Sequence, residues 1–538
     1  MTTFGIDLGT TYSCIAYIDE TGRPVVAKNM VGQDTTPSVV YFETPDNVVV
    51  GQDAKASAKL FPDQVVSLIK RQMGKQFEMD FHGVKHTPET ISALILKELA
   101  RAASEYVHQE VRDVVITVPA YFGVAEREAT RNAGKIAGLN VLNLIPEPVA
   151  AALHYGTLTA EGDATILVYD LGGGTFDTTV VRMQGGDVQV VCTDGDHRLG
   201  GADWDERIAD YLLQGFLDAN LGSEAADNED FLQELALAAE DMKKALSTTR
   251  SRRHNMRFGG ATAQVELTRE KFEELTEDLL TRTFDITERT IEQAGAQGVT
   301  SFDEVLLVGG STRMPAVAEG LRKRFGFEPK LHDPDLAVAK GAAQFALIES
   351  IKIRLPGEEG GTAAPSEEAV AQVAERIGME PEKVRRLAGR RVAAVVPRAF
   401  GVKVLDDVAG GEERFSISHV LKANTPLPAR PDPQRFCTAY PNQVAIEVEI
   451  WEQAGAVESP NLADNVKIGE GTITDLPPLP QGSPVDITFA MDELGTLSVH
   501  AVELQTKKDL TIEIRIEGLS EAQVNEAKAA IARYSTSG

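Results

Sequence analysis

Short apolar runs that end in an acid and a glycine are the strongest pattern in the chain. Ile166, Leu167, Val168 and Tyr169 form a continuous apolar run that stops at Asp170; Gly172, Gly173 and Gly174 follow, then Thr175, Asp177 and a second apolar run to Val181. Runs of this length, bounded by glycine, predict strand, tight turn, strand. The start of the chain repeats the pattern: Phe4, Gly5 and Ile6, then Asp7, Leu8, Gly9, Thr10, Thr11 and Tyr12, then the apolar stretch 14–18. Further buried strands are predicted at 114–118, stopped by Pro119, at 142–145 and at 305–308. Helical periodicity marks 88–108, 125–137, 149–155, 231–246, 315–324, 336–349 and 521–533. From 395 onward the pattern changes to period-two alternation, at 399–405 and 444–450, with further strands at 485–489, 497–502 and 510–516, which predicts an all-β sandwich. The expected order is an α/β domain over 1–350, a linker over 351–394, a β-sandwich over 395–517 and one helix within 518–538.

Two copies of one strand–turn–strand unit imply a duplicated domain. Glycines let the backbone approach a ligand closely and turn its N–H groups toward an anion. Asp170 and Asp177 beside such a turn fit a divalent cation that rides on phosphates and is held through its waters. Read singly, each motif also fits an ordinary glycine-rich hairpin. Gly200 and Gly201 open a helix whose first amides suit phosphate. Gly309, Gly310, Ser311 and Arg313 form a third strand-to-glycine turn, after which Asp335 stands where a helix cap is expected. Glu147 lies between two prolines at a strand end, which suits either a rigidly held functional carboxylate or the acid of a first helical turn. Lys70 and Arg71, after an apolar stretch, and the charged face EDMKKALS read from spacing alone as solvated surface.

Composition narrows the class. A formal charge of −28 over 538 residues argues against nucleic acid or an anionic membrane as the main partner. Three widely separated cysteines, Cys14, Cys192 and Cys437, show no metal spacing and suit packing in a reducing, cytoplasmic compartment. The first residues have neither a basic region nor a long apolar stretch, so no signal peptide is expected, and no apolar run is long enough for a bilayer.

The motifs GIDLGTTYS, VYDLGGGTFD and LLVGGSTRMP, in that order, resemble the nucleotide-binding domain of the DnaK-type, seventy-kilodalton heat-shock chaperones. The resemblance extends from the first residues to about 348 and resumes over about 395–528. It implies an actin-like, duplicated ribonuclease-H-like ATPase domain followed by a peptide-binding β-sandwich. It implies ATP or ADP with Mg2+, and potassium near Asp335. Asp7, Asp170 and Asp177 would hold the hydrated metal or the water. Lys70, Glu147 and Thr175 would assist hydrolysis, and Gly9, Thr10, Thr11, Tyr12 and Gly172 to Thr175 would contact phosphates. Glu240, Lys243, Lys244 and Ser247 would clamp adenine and ribose, with Lys244 standing where arginine is frequent and where a flat guanidinium would stack better. Pro119 matches the switch proline that couples nucleotide state to the other domain.

Val402, Val404, Phe436, Ala439, Ile446 and Val448 match the family's peptide pocket; from alternation alone the same side chains fill the sandwich core, and a one-residue slip would exchange the two assignments. The chain departs from the family in four places. The segment between Phe77 and Thr87 is short. Two helices, 366–377 and 381–391, are inserted after the linker-like stretch 356–365, as a dock or a spacer. The interdomain stretch 392–397 is less apolar than usual, with Ala394 near the place of an aspartate. Only the first helix of a lid is expected, which implies faster loss of bound peptide. Implied partners are unfolded or extended peptides, a J-domain co-chaperone and a nucleotide-exchange factor, with a monomeric chain. Two other readings carry weight: a non-hydrolysing ATP-binding scaffold or exchange partner within the family, and an actin-like small-molecule kinase.

Overall fold

The computed structural model describes residues 2–158, 163–355, 366–406, 413–455, 457–493, 495–514 and 519–537. The stretch 356–365 lies outside them.

The first lobe opens with β1 (Phe4–Asp7), β2 (Tyr12–Ile18) and β3 (Pro24–Ala27). An outer sheet uses β4 (Val40–Thr44) and β5 (Asn47–Val50), followed by α1 (Gln52–Ser57). Helix α2 (Pro88–Val107), strand β6 (Asp113–Val118), helix α3 (Val124–Ile136) and strand β7 (Asn140–Pro146) complete it. The central sheet runs β7-β6-β1-β2-β3, with the β1–β6 and β6–β7 pairs parallel and the β1–β2 and β2–β3 pairs antiparallel.

After α4 (Glu147–Leu158) the second lobe repeats that plan with β8 (Ala164–Leu171), β9 (Phe176–Gln184) and β10 (Asp187–Asp196). Helices α5 (Gly201–Ala219) and α6 (Glu229–Leu246) follow, then β11 (Glu304–Val308) and β12 (Lys330–Leu331). Its sheet runs β12-β11-β8-β9-β10, again two parallel pairs and then two antiparallel ones. In each lobe a central strand carries the acid and a hairpin partner follows.

Helix α7 (Ala337–Arg354) packs between the lobes, on β1 and β2 and along α4. The approach is close because the contact residues are small. A methyl group at Gly5 would stand 2.0 Å from Ala343 N, and one at Gly341 would stand 1.8 Å from the Ala150 carbonyl. Both turns of the duplicated unit are thereby brought to one seam.

The inserted helices are α8 (Glu367–Ile377) and α9 (Pro381–Ala388). They are not a solvated spacer. Val370, Val373, Ala374 and Val384 form a small core with Ile351 and Leu355 of the α7 end, while the charged side chains of both helices stay outside. The chain then forms β13 (Val392–Ala393), which pairs in parallel with β10 as a sixth strand of the second lobe.

The β-domain consists of two antiparallel four-stranded sheets. One contains β14 (Phe400–Asp406), β15 (Arg414–Leu421), β17 (Ile446–Gln453) and β18 (Asn465–Ile473). The other contains β16 (Gln434–Cys437), β19 (Pro484–Met491), β20 (Leu497–Glu503) and β21 (Asp509–Ile514). Their inner faces share one apolar core that includes Phe400, Ile450, Phe489 and Leu497. Helix α10 (Glu521–Ala532) and strand β22 (Ser535–Ser537) lie on the first lobe, where α10 packs against α2 and α3 and β22 pairs with β5. Among the described residues no helix is long and apolar enough to cross a membrane.

Candidate functional site

The two hairpin turns meet. A methyl group on Gly173 would fall 2.0 Å from Thr11 Oγ1, and one on Gly174 would fall 2.3 Å from Thr10 Cγ2. Glycine is required here by the crossing of two backbones. Gly309 is required for a second reason: its φ is 82°, and a Cβ would stand 2.4 Å from the Leu171 carbonyl.

Around this crossing lies a cleft of about 960 Å³. Asp7, Gly9, Thr10, Thr11, Tyr12, Lys70 and Glu147 line it from the first half of the fold, and Asp170, Gly172, Gly173 and Thr175 from the second. Glu240, Lys243, Lys244, Ser247, Gly309, Gly310, Ser311, Arg313 and Asp335 complete the wall. Gly174, Asp177, Gly200 and Gly201 stand one layer behind. They support the turn: Gly201 N donates to Gly172 O at 2.9 Å and Ala202 N to Gly173 O at 2.8 Å. Ser311 Oγ donates to Gly172 O at 2.9 Å.

At the deep end the carboxylates crowd together. Lys70 is buried and its Nζ lies 2.6 Å from Glu147 Oε1. Asp7 accepts a hydrogen bond from Thr117 Oγ1 at 3.1 Å, and Asp177 accepts one from Tyr121 N at 3.0 Å. Removal from water pushes Asp7 and Asp177 up to about 7, and the neighbouring Glu147 carboxylate adds to it. Asp170 is pushed up by burial, then by Glu147, Asp177 and Asp7, against the pull of Lys70. One ammonium does not balance four carboxylates, so this donor set favours a cation that restores the ionised forms. All-oxygen ligands of this kind suit a hard, partly hydrated divalent ion such as Mg2+.

At the mouth a polar bridge joins the lobes. Tyr12 OH donates to Glu240 Oε1 at 3.0 Å, and Lys244 Nζ lies 2.6 Å from the same oxygen. Lys55 of α1 pairs with Glu240 and donates to Tyr12 OH at 3.0 Å. Both ammonium groups also lie over the Tyr12 ring, at 5.1 and 4.7 Å from its centroid. Burial works against the Glu240 carboxylate, but Lys55 and Lys244 prevail and hold it down to about 2. Lys243 is turned inward, donating to Gly201 O at 2.6 Å and pairing with Asp205 at 2.7 Å. Arg313 pairs with Asp335 at the cleft wall.

Two contributors escaped the sequence reading. Lys55 has no motif around it. Arg71, read only as half of a basic pair, donates through Nε to Gly174 O at 3.0 Å and reaches Asp203 Oδ2 at 2.6 Å. Asp203 in turn accepts from Gly200 N at 2.7 Å, so Arg71 of the first lobe holds the glycine turn of the second. Its adjacency to Lys70 was the available signal.

The six residues matched to a peptide pocket lie in the β-domain with different burial. Val402, Ile446 and Val448 are buried in the sandwich core; Val404 and Phe436 pack at its edge, and Ala439 is half-buried. Pro119 ends β6, and the loop after it touches the β-domain. The Arg398 guanidinium lies 4.7 Å from the Tyr121 ring centroid and pairs with Glu126 at 3.1 Å. Tyr121 OH donates to Gly455 O at 2.8 Å.

A comparison with protein-family models matches residues 3–82, 78–354 and 384–536 to the family described as Hsp70 protein. The match includes both lobes, the β-domain and the α10 segment; most of the inserted α8–α9 pair falls in the gap between the matched stretches.

Proposed function

We infer that this chain, which belongs to the Hsp70 family of chaperones, hydrolyses ATP in the cleft between its two lobes and uses that step to change its grip on extended apolar peptides. The observation that carries the reading is the crossing of two duplicated hairpin turns directly above an acid cluster with one buried lysine. The actin-like duplication, the metal and the peptide site belong to the same proposal.

Asp7 and Asp170 would hold Mg2+ through water, with Asp177 behind them. The ion would neutralise phosphate charge and orient the terminal group. The chain's own residues do the rest. Backbone N–H groups around Gly9, Gly172 and Gly173 and the hydroxyls of Thr10, Thr11 and Thr175 receive phosphate oxygens. Lys70 supplies positive charge where the transferring phosphoryl group spreads its negative charge. Glu147, held by Lys70, orients the attacking water, and hydrolysis proceeds by positioning and charge. Glu240, Lys244 and Ser247 face the nucleoside. Lys243, bonded to Gly201 and Asp205, acts by fixing the start of α5.

The β-domain is the peptide-binding module of this reading, with the edge formed by Val404, Phe436 and Ala439 as the entry to its apolar interior. An experiment tests both halves together. A fluorescent unfolded peptide is titrated against the protein with ATP and then with ADP, while phosphate release is recorded. Tighter binding in ADP, with phosphate release lost in Lys70→Ala, supports the reading. Nucleotide binding without turnover would favour the non-hydrolysing scaffold, and ATP use that depends on a sugar would favour the small-molecule kinase.

A further inference from the structure

A second cavity, of about 460 Å³, adjoins the mouth of the nucleotide cleft. It shares Tyr12 and Lys244 with that cleft, and the polar bridge around Glu240 stands between the two spaces. Its volume falls within the range of small-ligand sites, about 300–1,000 Å³. From the first lobe it is lined by Lys55 of α1 and by Lys59 just beyond that helix. From the second it is lined by Lys244 of α6 and by Arg252, Arg253 and His254 of the hairpin formed by Ser251–Phe258 and Ala261–Thr268.

The cations are concentrated here by the sequence itself. Between Asp241 and Glu266 there is no acidic residue, yet Lys243, Lys244, Arg250, Arg252, Arg253 and Arg257 all fall there, in a chain whose formal charge is −28. Positive charge gathered on the walls of one cavity focuses a field that attracts anions. Part of the charge is already matched. Glu240 pairs with Lys55 and Lys244, Arg253 pairs with Glu266 at 3.1 Å, and Glu234 and Asp241 also line the cavity. Lys59 and Arg252 are different: among the described residues neither has an ion-pair partner. Burial holds the His254 imidazole below its ordinary value; Glu234 and Asp241 oppose that, and Lys59 and Arg252 reinforce it. His254 Nε2 is shielded from water and has no hydrogen-bond partner. A shielded nitrogen carries the cost of an unmade hydrogen bond, which a ligand oxygen would remove.

We propose that this cavity is a second anion site, separate from the nucleotide cleft, which takes a small molecule carrying a chain of three or more phosphates on Lys59, Arg252 and His254 Nε2. Phosphate oxygens are acceptors that ammonium, guanidinium and imidazole groups can all use. A single phosphate serves one wall, whereas a chain joins Lys59 of the first lobe to Arg252 of the second. Such a ligand draws together two positive walls that otherwise repel each other. Because the cavity adjoins the mouth, its ligand also slows the loss of nucleotide. That consequence, unlike the site itself, rests on the nucleotide-binding reading above.

Titration calorimetry of the full chain, saturated with ADP and excess Mg2+, tests this with inorganic tripolyphosphate as the probe. The expected result is one site per chain, weakened about tenfold in Arg252→Ala and in Lys59→Ala, the scale of one lost charge-assisted contact. Arg257→Ala removes the same charge from the same hairpin but outside the cavity, and should stay within about twofold of the parent. All three side chains are exposed, so the variants are expected to fold. Inorganic phosphate should bind at least about tenfold more weakly than tripolyphosphate. No binding, or an equal loss in Arg257→Ala and Arg252→Ala, overturns the proposal. GTP as a second probe separates the sources of the chain: tighter binding than tripolyphosphate, lost equally in Arg252→Ala, assigns the site to a nucleotide's phosphates, and weaker binding assigns it to an inorganic chain. Release of fluorescent ADP should slow about threefold with tripolyphosphate in the parent and not in Arg252→Ala; binding without that change overturns the link to the mouth. If ADP does not bind, the free protein is titrated instead. A loss in Arg252→Ala alone supports the site, and a loss in Lys70→Ala alone places the probe in the cleft and overturns it.

Discussion

Without the Lys70 ammonium, Glu147 would face Asp7, Asp170 and Asp177 without the ion-pair partner that holds it at the deep end of the cleft. Lys70→Ala is therefore expected to act twice. Phosphate release should fall by about 10² to 10³, as for loss of one charge-stabilising group in a dry site. Stability in urea without nucleotide should fall by about 3 kcal/mol, the scale for breaking a buried pair from one side. A second residue-scale prediction concerns the mouth of the cleft. Glu240 holds Lys55 of one lobe and Lys244 of the other. Lys55→Ala should speed ADP release about tenfold, equivalent to about 1.4 kcal/mol, with hydrolysis unchanged in a single-turnover assay. The acid-and-glycine turns were legible in sequence because every part of each lies within a dozen residues, where turn chemistry and apolar runs act locally. Lys55 was not, because its partner Glu240 is 185 positions away and no pattern near Lys55 requires it. Arg71 lies between these cases: its position beside Lys70 was visible, but its role depends on Gly174 and Asp203 across the cleft.

At the scale of elements, the meeting of the two lobes depends on how closely α7 approaches β1 and α4. Gly341 faces the Ala150 carbonyl at a distance no Cβ tolerates, so Gly341→Ala should cost about 2 kcal/mol or more in a urea melt, the usual penalty for overpacking. Gly295 is the control. It lies in the last turn of a helix, Glu277–Ala296, and a Cβ there meets nothing within 4 Å. Gly295→Ala should stabilise by about 0.5 kcal/mol through helix propensity alone. Most of these elements were legible: the helix expected at 88–108 is Pro88–Val107, and the one expected at 231–246 is Glu229–Leu246. Periodicity could not reveal which surface each would cover. The sequence places α8 and α9 as an inserted pair, yet only the fold shows their apolar side chains closing on Ile351 and Leu355. The helix expected as the start of a lid has the same limitation. Its apolar side suits any groove of the right width, and Tyr534, just past its end, is hydrogen-bonded to a histidine 448 positions earlier.

On the scale of the whole molecule, the two domains share a buried charged contact. Glu452 accepts from Val124 N at 3.4 Å, beside Arg398, Glu126 and Arg127. Burial pushes it up to about 7; Arg398, the Val124 amide and Arg127 pull it down, and Glu126 pushes it further up. A carboxyl held above its ordinary value takes up a proton on burial. Its contribution is therefore whole below the ordinary carboxylate range and is lost as pH rises through about 7. Between pH 5 and pH 8 the parent should accordingly lose on the order of 1 kcal/mol more stability in urea than Glu452→Gln does, the raised Asp7 and Asp177 carboxyls contributing to the slope of both. A further property follows from where the sandwich is moored. It leaves the second lobe at Val392–Ala393, paired with β10, and its other end is secured to the first lobe through α10 and β22. The sandwich is therefore tethered to both lobes, and a swing of one lobe against the other would act on both tethers. The β-domain would then bridge the two lobes as a strain gauge bridges a crack, reading the aperture around the nucleotide from its two moorings.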